Sequence, residues 1–493
     1  MKQYDLYING ELKSSKSGRY FDSVNPSTGQ IFSRVADATL EDMQFAIQTA
    51  RHHFDEDQWA EMLVRDRGQF LIKIAGLIRD HAKELADLET SDTGKTIKQT
   101  TFIDVPTCAD TFEYFGNIGQ ELRGSINDIP APVKSLTERE PLGVVGCTIP
   151  WNYPLIMSAW KIAPALIAGN TVILKPSSQG CVSVMRLAEL IKQSGIPQGV
   201  LQIVPTKDHR VAAELAKSSL IDKFSFTGGT KTGQDVMRMA AGNLKRLTLE
   251  LGGKSPNIVF ADCDQAAALG GTMSAIFMNQ GQMCTAGSRL LLEDKIYDSF
   301  LSQLVNKTKN LKIGAADQYD TDFGPLTSAR HRESIMQFIK GGRAEGASVL
   351  CGGNIPEEFR DHKGFYFEPT ILGQVTNDMD VAQQEAFGPV LCVIKFSGAQ
   401  EAIRLANDSC YGLASCVWTK NLRQAHSVAK QLRCGTVWVN TYGGFYNEAP
   451  YGGYKQSGFG RELGLEGLLE YTQTKHVCID MTPGGKALVT NWF

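Results

Sequence analysis

A cysteine set among glycine and polar residues is the part of this chain best equipped for chemistry. The stretch Asn279-Gln280-Gly281-Gln282-Met283-Cys284-Thr285-Ala286-Gly287-Ser288-Arg289 surrounds Cys284 with small and hydrogen-bonding side chains. An inert cysteine is ordinarily packed among apolar neighbours, whereas small neighbours let backbone amides approach whatever the sulfur attacks. Thirty-four residues earlier lies Leu249-Glu250-Leu251-Gly252-Gly253-Lys254-Ser255-Pro256-Asn257. A carboxylate between two leucines is partly desolvated, which raises its pKa toward the value a general base requires. A glutamate that merely caps a turn is the alternative. In a third stretch, Pro150-Trp151-Asn152-Tyr153-Pro154, the Asn152 amide could point at a developing oxyanion, or Asn152 could be an ordinary turn residue.

These residues must be held by surrounding elements. Apolar runs that read as buried strands recur at Gly143–Ile149, Thr171–Leu174, Leu201–Val204, Phe224–Phe226 and Asn257–Phe260. Helical spacing lies between several of them, at Val182–Ser194 and Val211–Ser218. Such alternation predicts an α/β fold whose parallel sheet carries helices on both faces, with a nucleotide at the carboxyl ends of its strands. Beyond Gly252 the alternation resumes: a helix over Gln265–Asn279, helical stretches from Ile296 and His331, and strands at Leu391–Phe396, Ser415–Trp418 and Thr436–Asn440. This predicts a second α/β domain. The polar, alternating Arg123–Glu140 and the tail Leu465–Phe493 fit neither core; they read as oligomer contacts or as a surface hairpin and a frayed end.

At 493 residues the chain is too long for one ordinary core, and its 42% apolar and 21% charged composition is that of a soluble globular protein. A formal charge of -3 gives no reason to expect nucleic acid or a membrane surface as partner. The first residues, MKQYDLYING, have no secretory pattern, and no apolar stretch approaches the roughly 20 residues of a spanning helix. Eleven cysteines without a CxxC pair, and eight histidines without HExxH, argue against a disulfide framework and a metal site. A cytoplasmic location with reduced thiols is expected.

With Glu385-Ala386-Phe387-Gly388-Pro389-Val390 and Pro450-Tyr451-Gly452-Gly453-Tyr454-Lys455-Gln456-Ser457-Gly458, these three stretches resemble the aldehyde dehydrogenase superfamily from about Tyr7 to the end. The resemblance implies a Rossmann-like cofactor domain (1–122 and 141–251), an α/β catalytic domain (252–455) and a small β oligomerisation element (123–140 and 465–493). It implies that Cys284 is the nucleophile, Glu250 the base, and Asn152 with the Cys284 amide the oxyanion hole. Lys175 and Glu385 would hold the cofactor riboses and Phe387 would lie near the nicotinamide. Ile149, Pro150, Trp151, Gly228, Gly229 and Leu251 would line the same site. The implied chemistry is coherent. A thiol, already a few per cent ionised near neutral pH, adds to an aldehyde; hydride leaves to the nicotinamide, and water activated by the base hydrolyses the thioester.

Several positions depart from the family pattern. No GxGxxG follows a strand; instead Thr227-Gly228-Gly229-Thr230-Lys231-Thr232-Gly233 opens a helix, with Gly229 where serine is usual. Gly94-Lys95-Thr96 has the ending of a P-loop, but Glu89 stands where its upstream glycine belongs. Lys175-Pro176-Ser177-Ser178 places Ser178 where the family has a glutamate that binds the adenosine ribose. A hydroxyl there would not repel a 2′-phosphate, so NAD is the expected cofactor with NADP accepted beside it. Lys207 or Arg210 could pair with that phosphate, or the charges of 205–210 could simply be a solvated turn.

The run 452–469 and the terminal Asn491-Trp492-Phe493 are most like betaine aldehyde dehydrogenases, which surround a trimethylammonium group with aromatic faces. Tyr153, Met157, Trp160, Met278 and Tyr451 are the expected pocket residues. Tyr451 replaces a usual tryptophan, Met278 a usual aromatic or histidine, and the loop 442–446 is unlike theirs. A broader dehydrogenase of apolar or aromatic aldehydes is the rival reading. A coenzyme A-acylating relative is disfavoured by Glu250, and a non-catalytic structural member by the intact Asn152, Glu250, Cys284 and Glu385. The expected partners are a small aldehyde and further copies of the chain, as a homodimer or homotetramer.

Overall fold

The computed structural model describes residues 1–484, so Asn491-Trp492-Phe493 lie outside the described residues. The alternation read between Gly143 and Gly252 becomes an eight-stranded sheet. Its five central strands run in the order Arg246–Glu250, Lys223–Thr227, Val144–Thr148, Thr171–Lys175, Leu201–Ile203, and all are parallel. These strands are nearly continuous in buried residues because helices cover both faces. The chain starts at Val144–Thr148, moves outward in one direction, then returns to build the other side. The order therefore reverses between Val144–Thr148 and Lys223–Thr227, and a ligand crevice opens at the carboxyl ends of strands on either side of such a reversal.

A second, seven-stranded sheet carries Pro256–Val259 and Arg289–Glu293 side by side at its centre, all parallel except the edge strand Ser348–Cys351. The segment joining those two central strands contains the helix Gln265–Phe277 and the Cys284 loop. The polar stretch after Arg123 forms Ser125–Asn127 and Val133–Pro141. The latter pairs antiparallel with Thr472–Asp480 from Pro141 to Val133, in a three-stranded sheet apart from both cores. A further small sheet and the helices Val64–Asp80, Ala82–Thr93 and Val105–Ile118 pack beside the first sheet.

Of the boundaries that differ from the sequence reading, two have a clear local reason. The helix expected from Val211 begins at His209, because the Asp208 side chain caps it by accepting from the Arg210 amide at 2.8 Å. The helix expected to reach Asn279 stops at Phe277, because Asn279 and Gln280 adopt left-handed backbone angles. No helix among the described residues is long and apolar enough to cross a membrane, and all eleven cysteines are free.

Candidate active site

A cleft of about 990 Å³ opens at the reversal point of the first sheet and runs inward to the second. Ile149, Pro150, Trp151, Asn152, Tyr153 and Met157 line it, from the end of one central strand and the helix that follows. Opposite are Gly228, Gly229, Glu250, Leu251, Cys284, Glu385 and Phe387, with Lys175 at the side. Cys284 is the only one of the eleven cysteines in this lining.

The loop carrying Cys284 is held by its backbone. Asn279, Gln280 and Gly281 follow one another at positive φ, a strained run for two non-glycine residues. Gly281 sits so close to the Gly388 carbonyl that a Cβ would lie 2.3 Å from that oxygen. Gly253 stands in the same relation to the Cys284 carbonyl, again at 2.3 Å, and a Cβ on Gly252 would strike the Glu385 carboxylate. The glycines of two separate stretches thus let backbone and carboxylate meet around one sulfur. The Asn152 amide donates to the Gln282 carbonyl at 2.8 Å, which leaves its second N–H for another acceptor. Tyr442 Oη donates to the Thr285 carbonyl at 2.6 Å.

Electrostatics separate the ionisable groups. Burial pushes the Cys284 thiol up to about 12, opposed by a hydrogen bond from Tyr451 and aggravated by the Glu385 and Glu250 carboxylates. Burial thus works against the thiolate, because the site removes solvation that a free thiolate enjoys. Glu250 ends the strand Arg246–Glu250, and both its carboxyl oxygens are buried without a hydrogen-bond partner among the described residues. Burial raises its carboxyl well above the usual range and Glu462 adds to this, while Lys161 and Arg461 oppose it. Glu385 accepts from the Gly253 amide at 2.9 Å, and burial pushes its carboxyl up to about 7.

At the other end the cleft suits a dinucleotide. Gly229 caps the helix Thr230–Ala240, and with Gly228 and Thr232 that helix presents its N-terminus to the cleft, where free amides and the helix dipole attract phosphate. Ala212, Ala213 and Ala216 of one helix and Val236 and Met239 of the other give this end of the cleft an apolar lining. Ser178 does not line this cleft; it lines an adjoining cavity with Lys207, His209 and Arg330. Arg210 is paired with Asp208 at 2.7 Å and points into solvent.

The pocket residues divide. Trp160, Phe445 and Tyr451 form an aromatic triangle with ring centroids 5.3, 5.5 and 6.1 Å apart. Trp160 and Phe445 also line an outer cavity of about 460 Å³, whose wall includes Asp110, Glu113 and Glu448. Met278 packs into the second core rather than lining the cleft. Three residues were passed over in the sequence. His331 lies in the cleft, packs edge-on against Trp151 and bonds the Phe387 carbonyl at 2.8 Å. Phe445 belonged to a loop noted only as unusual. Lys95 is fully buried between Glu89 and Asp104, with its ammonium 3.9 Å from the Tyr153 ring centroid. The glutamate that spoils the P-loop pattern is thus the partner of its lysine.

Comparison with known proteins agrees with this architecture. The profile of the "Aldehyde dehydrogenase family" matches residues 12–477. The chain is 44% identical over 489 residues to betaine aldehyde dehydrogenase of Bacillus subtilis (strain 168), covering 99% of both chains. It is 40% identical to human retinal dehydrogenase 2, covering 97% of this chain and 92% of the relative. Among solved structures, betaine aldehyde dehydrogenase from Staphylococcus aureus in complex with NAD+ superposes with a TM-score of 0.96 at 39% identity, covering 99% of this chain and 97% of that one. An aldehyde dehydrogenase from Bacillus cereus, also an NAD+ complex, gives 0.95 at 40% identity and 97% coverage of each. With the fold, the cleft and a profile match across nearly the whole chain in agreement, the protein belongs to the aldehyde dehydrogenase family.

Proposed function

We propose that this chain oxidises a small aldehyde to its carboxylic acid with NAD, through a covalent adduct on Cys284. The observation that carries this reading is one continuous cleft that joins the phosphate-attracting helix end to Cys284, Glu250 and Asn152. The Cys284 thiol gives its proton to water in the cleft, the sulfur adds to the aldehyde carbon, and the developing oxyanion accepts from the free Asn152 N–H and the Cys284 amide. One such donor is worth on the order of 3 kcal/mol. Lys175, Glu385 and the Gly228–Gly229 helix end would hold NAD, which would supply the acceptor for the hydride. The Glu250 carboxylate, made more basic by burial, takes a proton from water as that water attacks the thioester, and the acid is released. A base placed in the cleft favours hydrolysis over transfer of the acyl group to coenzyme A.

Betaine aldehyde is the leading substrate. The aromatic triangle lies between Cys284 and an outer cavity bearing three carboxylates, two of them shared with Arg79. Cation–π attraction at a desolvated site is worth up to about 2 kcal/mol. One observation favours the rival reading of a broader apolar range: the Lys95 ammonium already rests on the Tyr153 ring, so that ring has less attraction left for a second cation. Betaine aldehyde and its uncharged isostere 3,3-dimethylbutanal separate the two. The first reading expects kcat/KM for the cation to be at least about tenfold higher, with the advantage shrinking in high salt. Equal or better use of the neutral aldehyde would decide for the broader range.

NADP is also proposed to serve, because Ser178 brings no carboxylate to a cavity where Lys207, His209 and Arg330 stand beside Asp22 and Asp92. Ser178→Glu is expected to lower kcat/KM with NADP at least about tenfold while changing that with NAD little, by repulsion of the 2′-phosphate. Background rates with NADP in the unmodified enzyme would refute this. The sheet of 125–141 and 472–480 is proposed as the contact of a cytoplasmic homodimer or homotetramer, which sedimentation of the full chain would test.

A further inference from the structure

The Tyr451 hydroxyl lies 3.4 Å from the Cys284 sulfur, and among the described residues this sulfur is its only hydrogen-bond partner. The tyrosine is not free to look elsewhere. Its side chain is 6% exposed, packed against Trp160 and Phe445. Its backbone is clamped to Glu462 by a reciprocal pair of 2.7 Å hydrogen bonds. When sulfur carries a proton, either atom can donate. When sulfur is ionised only the phenol can, and a hydrogen bond to a charged acceptor is roughly twice as strong as one between neutral groups. The contact therefore favours the ionised sulfur.

We propose that Tyr451 is a catalytic residue that stabilises the Cys284 thiolate by donating its hydroxyl hydrogen bond, first when the nucleophile forms and again when it leaves. This rests on the reading of Cys284 as the nucleophile. In the hydrolytic step the water oxygen bonds to the acyl carbon and one water proton passes to Glu250. The C–S bond then breaks with its electron pair on sulfur, where the Tyr451 O–H meets it. The phenol keeps its proton throughout. This is a different task from serving as an aromatic wall, which phenylalanine or tryptophan could do equally well.

The other titratable groups facing the sulfur are Glu250, Glu385, Tyr153 and Tyr442. Those facing Tyr451 are Cys284, Glu250 and Glu462. The two carboxylates beside the sulfur oppose its ionisation, and the Tyr442 hydroxyl is committed to the Thr285 carbonyl. The Thr285 amide is the one backbone donor that assists. Tyr451 is thus the side chain that offsets an otherwise hostile setting for negative charge.

The test is the pH profile of Cys284 alkylation by iodoacetamide in the full-length enzyme, with the modified site assigned by mass spectrometry. Tyr451→Phe is expected to raise the apparent pKa of alkylation by about one unit, slowing the reaction at neutral pH about tenfold. It is also expected to slow steady-state turnover more than the first turnover. Tyr451→Met, which keeps apolar bulk and brings no donor, is expected to do the same and decides the matter if the phenylalanine variant does not fold. Profiles that superimpose on the unmodified enzyme would overturn the role of Tyr451. If Cys284→Ala is inactive in that case, the nucleophile reading stands; if Cys284→Ala remains active, both fall together.

Discussion

Cys284→Ala is expected to lower aldehyde oxidation by at least about 10⁴-fold in kcat/KM while leaving NAD affinity near that of the unmodified enzyme. No other cysteine lines the cleft, so no second sulfur can take over. The loop should keep its shape, because the contacts that hold it run through the backbone carbonyls of Gln282, Cys284 and Thr285 rather than through the sulfur. NADH absorbance with a saturating aldehyde, beside NAD titration by quenching of protein fluorescence, separates lost chemistry from lost binding. Activity within tenfold of the unmodified enzyme would remove Cys284 from the mechanism.

Glu250→Gln should divide the reaction in two. Hydride leaves before water attacks, so a burst of about one NADH per site is expected to survive while steady-state turnover falls on the order of 10³-fold. Rapid mixing measures both phases, and a burst lost in proportion to turnover would assign Glu250 to an earlier step. The same variant carries a stability signature. The folded protein holds the Glu250 proton more tightly than the unfolded chain does, since burial raises this carboxyl. The folded state thus binds more protons, and its stability falls as pH rises from the unfolded carboxyl range toward the folded one. Glutamine cannot ionise. Its advantage in Tm should therefore be small near pH 4 and grow as pH increases, which thermal melts across that range would show.

Much of this was legible in the chain because the relevant signals are local. The helix Val182–Ser194 has the bounds its spacing predicts, and the strand runs from Gly143 to Val204 are displaced by a residue or two at most. The glycines of Gly252-Gly253 and Gly281 announce close approach, although only the folded chain shows what approaches. What the sequence concealed is mostly long-range or environmental. Lys95 meets Glu89 and Asp104 through a π-helical turn at Thr100–Asp104, a widening no residue pattern advertises. His331 belongs to an amphipathic helix whose other residues give no hint that one ring enters a cleft between sheets. Ser178 sits beside the expected lysine in sequence yet turns into the neighbouring cavity. The thiol acidity of Cys284 depends on burial, which a string of polar neighbours suggested would be slight.

The three left-handed residues before Cys284 bear on how this enzyme could be redesigned. Asn279, Gln280 and Gly281 all sit at positive φ, Gly281 is pressed against the Gly388 carbonyl, and the Cys284 carbonyl is pressed against Gly253. A library that varied those positions would return mainly insoluble protein, with few informative catalysts among the survivors. In the loop 442–446 only Gly443 shares the left-handed backbone and should stay glycine, whereas Tyr446 is largely solvated and free to vary. Diversity placed there, with Phe445 included, would retune which aldehydes reach the sulfur while the machinery that processes them stays whole.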